Sequence, residues 1–167
     1  MHVISNLLRK SAALPVAVAS AALFFLMILT FCDVVLRSAF NAPIEAATEL
    51  TRISMAITVF AVMPVMSARG EHISVDLLDG VFQRLRLTRI RDAIVFIGCG
   101  VMLYWPAGRV VVLAERARDY GDVTEYLGIP VFYMGWFIAI MTYLTMMAMV
   151  LRGLAILFAP QLLERQS

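Results

Sequence analysis

The chain has 167 residues, of which 62% are hydrophobic and 16% charged, with a net charge of +2 at neutral pH. Charges this few, gathered at the chain ends and between long apolar runs, exclude an ordinary water-soluble domain, and the absence of a basic stripe excludes nucleic acid as a partner. Two cysteines and two histidines, without an HExxH, GxSxG or CxxC pattern, give no basis for an enzyme, a cofactor or a metal site.

Four apolar runs, 14–36, 46–68, 93–113 and 131–151, are each about 20 residues long, enough to cross a hydrocarbon core as a helix. The fold class they predict is an all-α integral membrane protein. Residues 1–167 form a single membrane domain of four transmembrane helices, with an amphipathic interfacial helix between spans two and three.

Arg9 and Lys10 before the first run raise the question of a secretory signal. The run is about 23 residues, longer than a signal's apolar core, and it ends in Asp33-Val-Val-Leu-Arg37, so it reads as a retained span. Asp33 and Arg37 lie four apart on one helix face and are expected to pair. An interfacial ion pair marking the span end is favoured over a substrate contact. Cys32 here, and Cys99 in the third run, are expected to be buried and inert.

Span two opens with Glu49 and Arg52 at i, i+3 spacing, with Glu45 one turn earlier. They are expected to pair with one another or with Arg37 across the short first loop. Pro64 in this span and Pro106 in the next are expected to kink their helices.

Between spans two and three, over about 73–90, Leu77, Leu78, Val81, Phe82 and Leu85 recur on one side of a helix, with Asp76, Asp79, Gln83, Arg84 and Arg86 largely elsewhere. Such a helix lies along the headgroup boundary with membrane lipid as its partner. It serves as a tether between spans, as a grip on another protein, or as both.

Arg109, about four residues from the end of the third run, is read as snorkelling to the interface. The start of 114–130 prolongs the third helix, and Gly121 and then Gly128-Ile129-Pro130 turn the chain back. Glu45–Leu50 (EAATEL) and Asp122–Leu127 (DVTEYL) look faintly alike, which is read as chance. At mid-depth the spans offer only hydroxyls and thiols: Ser54, Thr58, Cys99, Tyr104, Thr142 and Thr145. A carrier builds its midplane site from broken helices or ionisable groups, and a haem anchor needs histidines inside its spans. Neither is found.

Arg9, Lys10, Arg69, Arg84, Arg86, Arg89, Arg91, Arg152 and Arg165 fall on one side of this topology. Arg37, Arg52, Arg109, Arg116 and Arg118 fall on the other. The larger group places both termini in the cytoplasm.

Two blocks bracket span two: DVVLRSAFNAPIEAATEL, from Asp33 to Leu50, and ARGEHISVDLL, from Ala68 to Leu78. In order and spacing they resemble the small membrane subunit, or Q component, of the TRAP (tripartite ATP-independent periplasmic) transporters. The first block matches that family's pattern at Arg37, Phe40, Asn41, Pro43, Ile44 and Glu49. The second matches at Arg69, His72, Ile73, Val75 and Asp76. The chain departs from the pattern at Glu45-Ala46-Ala47, where the family often has tryptophan, and at Val62-Met63-Pro64, where a small residue is common.

The resemblance implies a non-conducting accessory subunit in the bacterial inner membrane, part of a sodium-coupled importer of organic acids. Its partners would be a large multi-span permease, which it braces, and a periplasmic substrate-binding protein, which it helps to dock. Arg37, Asn41 and Glu49 would order the periplasmic loop by hydrogen bonds and ion pairing, either for docking or for the subunit's own fold. Arg69, His72 and Asp76 would sit at the start of the surface helix, where an acid near a helix N-terminus is favourable in itself. His72 has no second ligand for a metal. The rival reading is a stand-alone four-helix proton-coupled carrier acting as a dimer, for which Asp33 would be the essential carboxylate.

Overall fold

The computed structural model describes residues 2–69 and 88–158, with the backbone alone for 2–12, 88–90 and 158. Five helices account for nearly all of them: α1 (His2–Phe40), α2 (Ala47–Arg69), α3 (Thr88–Met102), α4 (Tyr104–Tyr120) and α5 (Phe132–Phe158). Four stretches are long and apolar enough to cross a membrane: Ala13–Phe40, Ala47–Arg69, Arg91–Tyr120 and Phe132–Leu157. The interfacial helix expected over 73–90 falls almost wholly outside the described residues.

Local chemistry sets the helix ends. Asn41 takes a left-handed conformation (φ 51°) after α1, and Pro43 cannot prolong a helix. At the end of α4, Gly121 (φ 69°) forms a Schellman cap. Its amide donates to Arg118 O at 3.1 Å, and the next amide, of Asp122, donates to Ala117 O at 2.9 Å. The third crossing is broken in its middle, at Leu103 between α3 and α4, which corrects the expectation that no span is interrupted at mid-depth. Pro106 has no N–H to return to the carbonyl of Met102, and its ring crowds that carbonyl. The break is mild: Leu103 keeps helical angles, its amide is shared at 3.2 Å between Cys99 O and Gly100 O, and Ala107 donates to Leu103 O at 3.1 Å. Pro64 is accommodated inside an unbroken α2, so a break appears in the third crossing but not in the second.

The helices stand in a row. α1 packs on α2 alone, α2 also packs on α5, and α5 packs on α3 and α4. The crossings are therefore ordered first, second, fourth, third. Among the described residues they form a slab with two broad apolar faces and no enclosed interior. Phe24, Phe31 and Trp105 are 61%, 70% and 86% exposed on those faces. Cys32 and Cys99 are exposed as well, which corrects the expectation of buried thiols. In an open row most of each helix surface is never covered, so an in-span thiol need not be buried.

Contacts between the helices run through small residues, as they must where no water drives apolar surfaces together and close van der Waals approach supplies the attraction. Ala93, Ala107, Ala139 and Ser67 are fully or almost fully buried. The tightest approaches are made by α5 on the third crossing. A Cβ at Gly153 would come within 2.6 Å of Ile97 Cγ1, and one at Gly135 within 2.7 Å of Ala114 Cβ.

Candidate functional site

Residues 41–46 and 121–131 form the loop end of the slab, where several polar side chains bond the backbone of the turns. At the end of α1, Asp33 serves two purposes. Its Oδ2 accepts from Arg37 at 3.0 Å, the ion pair expected from their spacing, and its Oδ1 accepts from the Ile44 amide at 2.9 Å. The carboxylate thus fastens the elbow between α1 and α2 to the last turns of α1. Asn41 gives this elbow its left-handed backbone, and the Ala42 amide donates back to Leu36 O at 3.3 Å.

Glu49 lies in the first turn of α2 and is 9% exposed. Its carboxylate reaches across to the loop between α4 and α5, where Oε1 accepts from the Tyr126 amide at 2.9 Å and Oε2 from the Leu127 amide at 3.0 Å. This corrects the expectation that Glu49 would pair with Arg52 or Arg37: the carboxylate takes up two consecutive backbone amides instead.

The receiving loop is shaped for this contact. The Thr124 amide donates to Ile129 O at 3.0 Å, and the Gly128 amide to Thr124 O at 3.1 Å. Thr124 Oγ1 accepts from the Ile129 amide at 3.1 Å, Val131 donates to Asp122 O at 3.0 Å, and Val123 and Pro130 form an isolated antiparallel bridge. Gly128 turns at φ 63°. A turn this tight points successive amides outward into a small anion-binding concavity, and Glu49 fills it. Tyr120, Tyr126 and Tyr133 surround the loop and are well exposed.

EAATEL and DVTEYL meet here, since Glu49 from the first grips the turn of the second. Their likeness says nothing about a repeat. The recognisable signal was the turn-forming Gly128-Ile129-Pro130 together with an acid at the start of a span on the same side of the membrane. The partners of that acid are backbone atoms, which no side-chain pattern marks.

The opposite end has its own clamp. Arg152 on α5 donates to the carbonyl of Ala68 in the last turn of α2 and stands 5.6 Å over the Phe96 ring of α3. A cation suits the carbonyl end of a helix. In the sequence, Arg152 counts only toward the topology. Of the residues singled out there, Arg37, Asn41 and Glu49 share the loop end: Arg37 pairs with Asp33, Asn41 supplies the left-handed backbone, and Glu49 holds the loop amides. Arg69 lies in the last turn of α2 at the far end. His72 and Asp76 lie outside the described residues. Among the described residues, no three His, Cys, Asp or Glu side chains are grouped to hold a metal ion.

A family model described as "Tripartite ATP-independent periplasmic transporters, DctQ component" matches residues 26–158, well over half of the chain. Comparison with curated proteins and with solved structures gives no match.

Proposed function

Because the chain belongs to the DctQ-component family of the tripartite ATP-independent periplasmic transporters, we propose that it is the non-conducting, non-enzymatic small subunit of a sodium-coupled importer of organic acids. On this reading it lies in the bacterial inner membrane with both termini in the cytoplasm and braces a large multi-span permease. The Glu49-ordered loop end faces the periplasm and helps seat the substrate-binding protein.

The observation that carries the reading is the open row of helices. A single row encloses no path for a solute, whereas it offers two apolar faces to another membrane protein. The mid-depth hydroxyls support this. Thr58 donates to Ser54 O at 2.7 Å, Thr142 to Ile138 O at 2.7 Å and Thr145 to Met141 O at 2.8 Å, each within its own helix. Glu49, the one buried ionisable residue among those described, stands at a helix start and is engaged by the loop amides. Asp33, which the dimeric-carrier rival would need free to exchange protons, holds Arg37 and the Ile44 amide. Sodium coupling and the organic-acid cargo are proposed on the family resemblance alone.

The test is co-purification with the large permease from mild detergent, followed by sodium-driven uptake in proteoliposomes with the binding protein. Uptake that requires this subunit supports the reading. Uptake by the large subunit without it overturns the brace, and transport by this chain alone overturns its non-conducting role.

A further inference from the structure

The outward face of the third crossing carries polar groups that lipid tails cannot serve. Met102, Trp105 and Arg109 are spaced i, i+3, i+7, which sets them on one stripe, and the near-helical Leu103 preserves that spacing through the break. All three are exposed, Met102 at 78%. Tyr104, itself 62% exposed, stands edge-on to Tyr143 of α5 with ring centroids 6.3 Å apart, while Trp105 has no ring partner among the described residues and is 86% exposed.

The depth of this stripe is unusual. Trp105 is midway along the crossing Arg91–Tyr120, and Arg109 is one turn, about 6 Å, further on. Membrane tryptophans concentrate at the headgroup level, where the indole N–H finds water or lipid oxygen. This one faces outward at the centre. Beside it, the proline at 106 deprives the Met102 carbonyl of its usual helical donor, a loss that a neighbouring helix, a polar side chain, water or a local tightening of the helix makes good at membrane depth. Among the described residues Arg109 forms no ion pair, and an arginine within a span calls for a partner.

We propose that this stripe is a recognition seam for one transmembrane helix of the large permease. That helix carries a carboxylate at the level of Arg109 and a hydrogen-bond acceptor for the Trp105 indole. The proposal rests on the accessory-subunit reading above and adds to it a surface and the chemistry of its complement. Lipid is the competing occupant. A lipid phosphate can meet a snorkelling Arg109, but no headgroup reaches Trp105 or the Met102 carbonyl. A protein helix meets all three.

The experiment uses the full chain, tagged and co-expressed with the permease. A benzophenone amino acid at Met102 or Trp105 is irradiated in membranes, and Arg109→Leu and Arg109→Lys are compared with the parent chain for permease recovered. The seam predicts a covalent adduct with the permease from both positions. It also predicts about tenfold less permease with Arg109→Leu, a loss of about 1.4 kcal/mol in association, and substantial recovery with Arg109→Lys, which keeps the charge. Adducts with lipid only, together with undiminished recovery in Arg109→Leu, would overturn the seam and leave the brace standing. Permease adducts with undiminished recovery in Arg109→Leu would overturn the carboxylate partner. If the parent chain captures no permease, the seam and the reading beneath it fall together.

Discussion

Glu49 and Tyr126 are 77 residues apart in sequence, yet the carboxylate of one accepts the backbone amide of the other at 2.9 Å. The contact ties the start of the second crossing to the turn between the third and fourth. Replacing Glu49 by Ala removes both acceptors from a turn whose two amides then lose their carboxylate partner. Hydrogen exchange at Tyr126 and Leu127 should quicken on the order of tenfold or more as local opening becomes easier, and the detergent melting temperature should fall. Glu49→Gln, which keeps one acceptor oxygen, should fall between. Unchanged exchange at these two amides in Glu49→Ala would show that the turn holds itself.

Glycines along the third and fourth crossings should divide sharply. At Gly135 an added Cβ meets Ala114 Cβ at 2.7 Å and Ala114 Cα at 3.3 Å, atoms that move only with the helix. Gly135→Ala should therefore lower stability by about 1–3 kcal/mol. Nothing lies within 4 Å of a Cβ at Gly98. Gly98→Ala should be tolerated, and raise stability by about 0.5–1 kcal/mol through the helical preference of alanine. Thermal melts of the two purified variants decide this, and equal losses would count against the packing described.

The two roles of Asp33 can be separated by substitution. Asp33→Asn gives up the ion pair with Arg37 but keeps an oxygen for the Ile44 amide. Because the Arg37 side chain is 66% exposed, the lost pair should cost less than about 1 kcal/mol. Asp33→Ala loses both bonds and should be clearly worse in melting temperature and in complex yield. Reconstituted uptake should survive Asp33→Asn. Abolished uptake in a complex that still assembles would restore Asp33 as a proton-carrying group.

Asn41 offers a test of backbone against side chain. Its φ of 51° suits glycine better than any β-branched residue. Asn41→Gly should leave complex formation with the binding protein and permease intact, while Asn41→Val should cost about 1–2 kcal/mol in stability. If Asn41→Gly folds normally but fails to support uptake, the side chain itself takes part in docking.

The crossings were legible in the sequence because an apolar run of sufficient length has few other uses. The Asp33–Arg37 pair and the turn at Gly121 were legible because both are local. The order of the helices was not. Each crossing is apolar over most of its surface, so no polar face says which neighbour within the chain it meets. The small residues that do mark the contacts, such as Ala93 opposite Gly153, are frequent in any membrane helix. The grip of Glu49 was hidden for a related reason, since nearby arginines are the more obvious partners and the true ones are amides exposed by a distant turn.

The row also fixes a schedule for synthesis. As the chain leaves the ribosome, α1 meets its one neighbour as soon as α2 is made, and the two can settle as a hairpin. The third crossing then enters the membrane with nothing to rest against, because α3 and α4 touch only each other and α5. Among the described helices, the last of the four crossings joins two pairs that do not otherwise pack on each other. Until α5 is inserted, the nascent protein is two separate helical pieces held by a connecting segment, and both end clamps, Glu49 on the turn before α5 and Arg152 on α5 itself, have yet to close.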